Sequence, residues 1–466
     1  MSSDATPARP TDDPTDTAAL LSLADQVVAL VQREDAARDA TVEADVSVTR
    51  TRHGLTRFAN SFIHQHVGED TVSVSLTLAL DGRTTSTSTT ATDPDSLEQL
   101  VDDAVASAQL QPVDPHWPGA TPPADVADTG NVDTATATAS PETRASLVAD
   151  FVAAGDGLAA AGYCDTELLQ AAFASTAGQR VSGATTRATI DGIHQTGSSA
   201  GSAHGTAIRL DELDAAGAGR RAADVAVRSK DFVDLDPGEY EVVLRPEAVA
   251  TILTFLAVYG FNAKSHLEGA SFAQLGAQQF DPAVTILVDP ADPRRTGLPF
   301  DAEGSPRQRF ALVQDGVTTA LAHDRRTAAR AGTTTTGSAV PGGAGIGAVP
   351  TDVRLPAGDT PAEAMIADVR RGLLVTEFHY VRILDPKTTV ATGLTRNGTF
   401  LIEDGEVVGA VGNLRFTQSF HQALGAGRVA AVGDDDRYAN GELAAGMVIC
   451  PSLRLAGWSF TGGAQG

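Results

Sequence analysis

Apolar positions recur along this chain in two periods, and the switches between them mark its elements. Leu20, Leu21, Leu23, Ala24, Val27, Val28, Leu30 and Val31 fall on one helical face, predicting a helix over 18–35. From Ala44 the period becomes two. Val46 and Val48 alternate with polar residues, and so do Val72, Val74, Leu76, Leu78 and Leu80, as strands with one buried face require. Asp81-Gly82 is a hairpin turn signal, and Thr84 to Thr90 reads as a further strand with little to bury. Asp93-Pro94-Asp95 caps a helix through Leu97, Leu100, Val101, Ala104 and Val105. Gln111 to Pro141, rich in Pro, Asp, Thr and Gly, is expected to be a long connection. A helix over 145–160 follows, then strands near 167–174, 180–190 and 198–210, and a helix near 215–230. The second series resembles the first, and Ile63-His64-Gln65 and Ile193-His194-Gln195 sit at comparable places, so a weak internal repeat of 18–110 and 142–234 is expected.

The stretch after Gly238 has a different character. Glu239 to Leu244 reads as a strand, and Pro246 suits the first turn of a helix. Val249, Ile252, Leu253 and Leu256 then mark one helical face, which Phe255, Val258 and Tyr259 widen until almost nothing is left for water. A helix packed inside the protein is predicted. Beyond it the pattern is β: 285–288, 310–314, 372–384, 399–403, 407–410, 414–420 and 448–458, with turns at Asp315-Gly316 and Asp404-Gly405. A short helix is expected at 361–370 and a loop at 332–350. The fold class is therefore α+β: a sheet-and-helix half over 18–234, then a mostly β domain over 235–466 with one buried helix. Residues 1–17 are expected to be a disordered acidic tail.

Composition narrows the setting. The formal net charge of −25 argues against nucleic-acid and anionic-membrane partners, which need a basic face. The N-terminus has no apolar core of a signal peptide, and no apolar run is long enough to span a bilayer. Cys164 and Cys450 stand in no disulfide or metal spacing. A cytoplasmic location is expected. Gly342-Gly343-Ala344-Gly345-Ile346-Gly347 follows no predicted strand and opens no predicted helix, so a dinucleotide-binding reading fails on context. His64 and His66, two apart on a strand, would share a face, yet no third metal ligand accompanies them.

The strand followed by Arg245-Pro246-Glu247-Ala248-Val249 and an apolar helix resembles the start of the C-terminal domain of the TldD/PmbA (TldE) family. Further blocks are similar to the family and stand in its order: Arg57 to Ile63, Leu298 to Gly304, Asp324 to Ala328, and Gly393 to Glu406. One branch of that family carries His-Glu-x-x-x-His on this helix, two zinc-binding imidazoles with a Glu as general base. Matched residue by residue, those positions are Thr254, Phe255 and Tyr259, none of which can do that work. That branch also uses a C-terminal Cys ligand. Near that region stand Arg396, Asn397 and Gly398 and no Cys, while Cys450 lies on an apolar strand. The resemblance thus implies a PmbA (TldE)-like subunit with no catalytic residue and no cofactor of its own. Zinc is expected in a TldD-type partner with which it forms a heterodimer acting on unfolded peptides, in proteolysis or peptide maturation. His266, Glu268, Arg396 and Asn397 are candidate groove or partner contacts. A stand-alone metallohydrolase using His266, Glu268 and a distant His, and a peptide-binding homodimer without catalysis, are the alternatives.

Overall fold

A computed structural model describes residues 13–37, 40–126 and 131–463. The first sheet is built from β1 (Val42–Ala59), β2 (Phe62–Leu80), β3 (Arg83–Thr89), β4 (Ala159–Ser175), β5 (Arg180–Gln195) and β6 (Ala200–Ala207), in the order β3-β2-β1-β4-β5-β6, antiparallel throughout. The even-numbered residues of β1 explain its helices. Val42, Ala44, Val46 and Val48 pack under α1 (Ala18–Ala37) and α2 (Pro94–Gln109). Ten residues on, Phe58 packs on the same face with α4 (Pro141–Ala153) and α5 (Ala215–Arg228); a short α3 (Thr134–Ala137) precedes them. Asp93 caps α2 by accepting from Ser96 N–H, as its sequence position predicts.

Three strands and a helix thus occur twice about the central β1–β4 pair. The two Ile-His-Gln trios do not occupy equivalent places: one opens β2 and the other closes β5. Other differences from expectation are local. The helix expected to reach residue 160 stops at Ala153, and just beyond it Asp156 and Gly157 stand at φ 47° and 86°, which a right-handed helix does not accommodate. The connection over 111–141 contains α3, and part of it, 127–130, lies outside the described residues. Residues 1–12 of the expected tail also lie outside them, whereas Pro14 and Asp16 accept hydrogen bonds from the buried Gln170 amide at 3.2 and 2.9 Å.

The remaining strands are β7 (Phe232–Val233), β8 (Gly238–Leu244), β9 (Ile286–Val288), β10 (Phe310–Gln314), β11 (Val317–Thr318), β12 (Val353–Arg354), β13 (Arg371–Asp385), β14 (Val390–Glu403), β15 (Glu406–Val411), β16 (Leu414–Ser419), β17 (Val429–Val432), β18 (Arg437–Gly441), β19 (Ala444–Cys450) and β20 (Leu453–Gly463). The second sheet runs β11-β10-β9-β12-β19-β18. In the third, β13-β8-β20-β16-β14 closes on itself through the β13–β14 pairing, with β15 and β7 extending it. Trp458, Phe378, Phe416 and Phe420 stack in this closed ring. One strand was expected over 448–458, but Pro451 cannot donate to a ladder and the chain divides there into β19 and β20. The glycine stretch forms one helical turn at Gly343–Ile346, which the sequence reading did not expect; it follows a loop rather than a strand.

An arginine joins the two halves. Arg325, at the start of α8 (Arg325–Ala331), donates to the carbonyls of Gly119 (2.8 Å), Ala120 (3.0 Å) and Pro118 (3.3 Å) and to the Thr121 hydroxyl (2.9 Å). It also faces the buried Asp45 carboxylate at 3.7 Å. Burial pushes the Asp45 carboxyl up to about 6, although bonds from Thr121 and the Arg325 charge hold it down. No helix among the described residues is long and apolar enough to cross a membrane.

Candidate functional site

The buried helix is α6 (Pro246–Phe255), directly after β8. Pro246 supplies its first turn, and Ala248, Val249, Ile252 and Leu253 are packed out of contact with water. At its end the ladder changes. Leu256–Gly260 forms a π turn, in which Phe261 N–H donates to the Leu256 carbonyl five residues back at 2.9 Å. In a regular helix, residues five apart point about 140° away from each other. Thr254 lies just before this turn and Tyr259 within it.

What stands there does not fit a zinc ion. The Thr254 hydroxyl is buried and donates to its own helix, at the Ala250 carbonyl (2.8 Å). Phe255 is a core residue, edge-on to Phe420 and tilted against Tyr259, with ring centroids at 5.6 and 5.8 Å. Tyr259 is half-buried against the same core. Cys450 lies at the other end of α6, its thiol donating to the Pro246 carbonyl at 3.3 Å, and burial pushes it well above the usual thiol range. Among the described residues, no three His, Cys, Asp or Glu side chains gather as a metal ion requires.

Polar chemistry gathers instead at the first turn of α6, where the two halves meet. Glu247 takes a two-pronged bond from Arg437 of β18, with Nη2–Oε2 at 3.0 Å. Burial pushes this carboxyl up, but the Arg437 guanidinium outweighs it and holds the group below its usual range. From the first sheet come Asp191 on β5 and His204 on β6, Nδ1 to Oδ2 at 3.1 Å, and His204 Nε2 meets the Thr206 hydroxyl at 2.7 Å. Asn440 of β18 donates to the same Asp191 oxygen at 3.1 Å. Glu377 of β13 completes the seam. It accepts from Asn397 Nδ2 at 2.7 Å and hydrogen-bonds Ser202. Burial, with the nearby Glu247 and Asp191 charges, pushes Glu377 up to about 7.

Two of the sequence candidates belong to this seam. Arg396 pairs with Glu377 across the β13–β14 ladder at a register break. Asn397, at φ 51°, turns its amide onto the Glu377 carboxylate, while the single Thr376 hydroxyl hydrogen faces the carbonyls of 396–398, nearest that of Gly398 at 2.9 Å. His266 and Glu268 lie elsewhere, on and just after α7 (Ala263–Leu267), where exposed Glu268 pairs with Lys264 at 3.0 Å. They are not brought together with Arg396 and Asn397. His64 is the extra residue of a β-bulge opposite Arg57/Phe58, which interrupts the regular alternation the sequence reading assumed for His64 and His66, and His66 meets the Thr56 hydroxyl at 2.9 Å. Glu377, Asp191 and Arg437 were not foreseen. The available signal was a charged residue inside the apolar run Leu373 to Phe378.

Comparisons with known proteins agree with this architecture. The fold is similar to TldE from Thermococcus kodakarensis, with a TM-score of 0.83 at 17% identity over 94% of this chain and 100% of that one. It is also similar to a Thermotoga maritima protein described as a proposed modulator of a DNA gyrase, with a TM-score of 0.81 at 19% identity over 94% and 99%. At these identities the likeness is one of fold. A metalloprotease of Methanothermobacter thermautotrophicus is 26% identical over 234 residues, 49% of this chain and 50% of that protein. One of Archaeoglobus fulgidus is 31% identical over 97 residues, 20% and 23%. The chain thus spans about half the length, or less, of these curated relatives. The family model described as PmbA/TldA metallopeptidase C-terminal domain matches residues 237–462, from β8 through α6 to β20, and that for PmbA/TldA metallopeptidase domain 1 matches 44–108. With both domains matched in order on one continuous fold, the chain belongs to the TldD/PmbA family of metallopeptidase-like proteins.

Proposed function

We propose that this chain is the non-catalytic, TldE/PmbA-type subunit of a cytoplasmic heteromer whose TldD-type partner holds the zinc and hydrolyses unfolded peptides. The observation that carries this reading is the end of α6. A peptidase of this kind needs a water made nucleophilic by a metal. The α6 positions matched to two ligands and a base hold a hydroxyl bonded to its own helix and two aromatic rings tilted against each other. The likeness in fold to TldE supports it further. The part left to this subunit is to hold substrate. We assign that to β18, an end strand of its sheet beside α6, because an extended peptide can pair with strand backbone.

The test compares three samples: this chain, a zinc-bearing TldD-type subunit from the same host, and the two mixed. The chain alone should carry no stoichiometric zinc and leave unfolded peptides intact. The mixture should form a heteromer and cleave, with cleavage stopped by a chelator. Robust chelator-sensitive cleavage by this chain alone, with about one zinc bound, would falsify the assignment and favour a stand-alone hydrolase.

A further inference from the structure

The first sheet has an open edge. β3 pairs with β2 only over Val74–Leu80, so Phe62–Ser73 of β2 has β1 on one side and, among the described residues, no strand on the other. His64 to His66 and Gly68 to Thr71 are exposed there. An edge of this kind presents unpaired N–H and C=O groups that an extended chain can match. Midway along it, Gly54 of β1 and Gly68 of β2 stand opposite each other, so the helix-bearing face of the sheet is bare of side chains at both. Arg144 of α4 lies over Gly54, where a Cβ would collide with its guanidinium. Over Gly68 the space is open: a Cβ there would meet nothing within 4 Å.

Arg144 is only 4% exposed, yet among the described residues no carboxylate bonds it. Its Nε donates to the Thr56 hydroxyl (3.3 Å), and its Nη1 to the Ala139 carbonyl (2.9 Å) and the Thr166 hydroxyl (3.1 Å). Nη2 has no protein partner and is not sealed from solvent. Glu142 and Asp165 act on the guanidinium only through space: exposed Glu142 accepts from Ser140, and Asp165 takes His53 on the opposite face. A buried cation without a counterion is an uncompensated cost. The Thr56 oxygen, having accepted from Arg144, meets His66 Nδ1 at 2.9 Å. Its own hydrogen goes to that nitrogen, which leaves His66 Nε2–H as a donor. Asp70, on the other side of Gly68, is already held by Arg50 at 2.7 Å. The open space over Gly68 is therefore flanked by donors that lack an acceptor.

We propose that the free edge of β2 takes an extended peptide as an added strand, with a glutamate lying over Gly68 and accepting from Arg144 Nη2 and His66 Nε2. Strand spacing of about 4.8 Å puts the added residue about 10 Å from Gly54, a gap that the glutamate and the guanidinium bridge together. This surface stands whatever the role of α6.

The test is calorimetric titration of the full chain with acetyl-Thr-Thr-Val-Glu-Val-Thr-Thr-amide and with the same peptide carrying Gln for Glu. About 0.15 M salt screens the net charge of −25. The Glu peptide should bind saturably with a Kd of about 1 mM or tighter. The Gln peptide should bind at least about tenfold more weakly, close to the loss of one charge-assisted bond. Gly68→Val adds a strand-favouring side chain into open space, so it should melt like the parent and lose the preference for Glu over Gln. Amide hydrogen exchange of the parent chain, at saturating Glu peptide, should slow within 62–73, which places the peptide without relying on any variant. The proposal is overturned by no saturable binding up to about 20 mM, twentyfold above the expected Kd. It is equally overturned by equal binding of the two peptides, or by a preference for Glu that survives in Gly68→Val. Protection confined to β18 would also overturn it, while leaving the reading of α6 and β18 intact.

Discussion

Glu377→Gln is expected to stabilise the protein at pH 8 and to do nothing near pH 4. The parent carboxyl sits in the seam between the halves with a pKa raised from 4.5 to about 7, first by burial and then by the Glu247 and Asp191 charges. Between those two values the native state keeps a proton that the unfolded chain has released. The native state therefore binds more protons in that window, and stability falls as pH rises through it. At about 1.36 kcal/mol per unit, two and a half units give roughly 3 kcal/mol, fully lost above pH 7. Glutamine keeps an oxygen to accept from Asn397 and never ionises, so the variant escapes this loss. Thermal unfolding of parent and variant at pH 4, 6 and 8 measures it. From the per-residue entropy of unfolding, the gap at pH 8 is about 3 °C if the whole chain melts as one unit, and about twice that if the C-terminal half melts alone. Coincident melting at pH 8, or a less stable variant there, would show that Glu377 is ionised and well paired in the native seam, and the argument from burial would be wrong.

Two further outcomes follow from the packing. Leu256→Asp puts a carboxylate where the parent side chain is fully out of contact with water, so the loss should exceed about 4 kcal/mol and ease at acid pH. Circular-dichroism melting at pH 5 and 8 reads this, and a parent-like melt would mean that this side of the helix faces outward. Arg325→Ala removes four hydrogen bonds between the halves and the cation facing Asp45. The cost should be about 3–5 kcal/mol at pH 8 and smaller at pH 5, where Asp45 can take a proton. Denaturant unfolding at both pH values checks it, and an equal loss at both would detach Asp45 from the effect.

The fold was legible wherever one local rule decided the outcome. α1, α2 and the β2–β3 hairpin needed only the period of Leu and Val, an Asp93 cap and the Asp81-Gly82 turn. β4 was not: it was expected over 167–174 and runs from Ala159 to Ser175. Its first half, Ala159 to Thr166, is Ala, Gly, Tyr, Cys, Asp and Thr, and carries no clean alternation. Those residues are strand because β1 and β5 flank them on both sides, a tertiary decision that overrides weak propensity. The closed ring of β13, β8, β20, β16 and β14 was illegible for a related reason. A parallel pairing such as β13 with β8 joins residues more than a hundred apart and leaves no turn signature.

The seam at α6 shows where sequence reasoning reaches its limit. Both ends of the helix were visible: Pro246 and Glu247 at the start, and the aromatic substitutions at the finish. What Glu247 is for was not visible, because its partner Arg437 lies 190 residues away. Asp191 and Asn440 are 249 residues apart. No spacing rule operates over such distances; only the closing of the first sheet against α6 and β18 brings these groups together. The same helix therefore behaves differently along its length. Its last turn is sealed by Phe255 and Phe420, where a change of side chain is felt as packing. Its first turn faces titratable groups from both halves, where a change is felt as charge. A variant series along α6 should divide accordingly, with pH-dependent losses at Glu247 and pH-independent ones at Phe255.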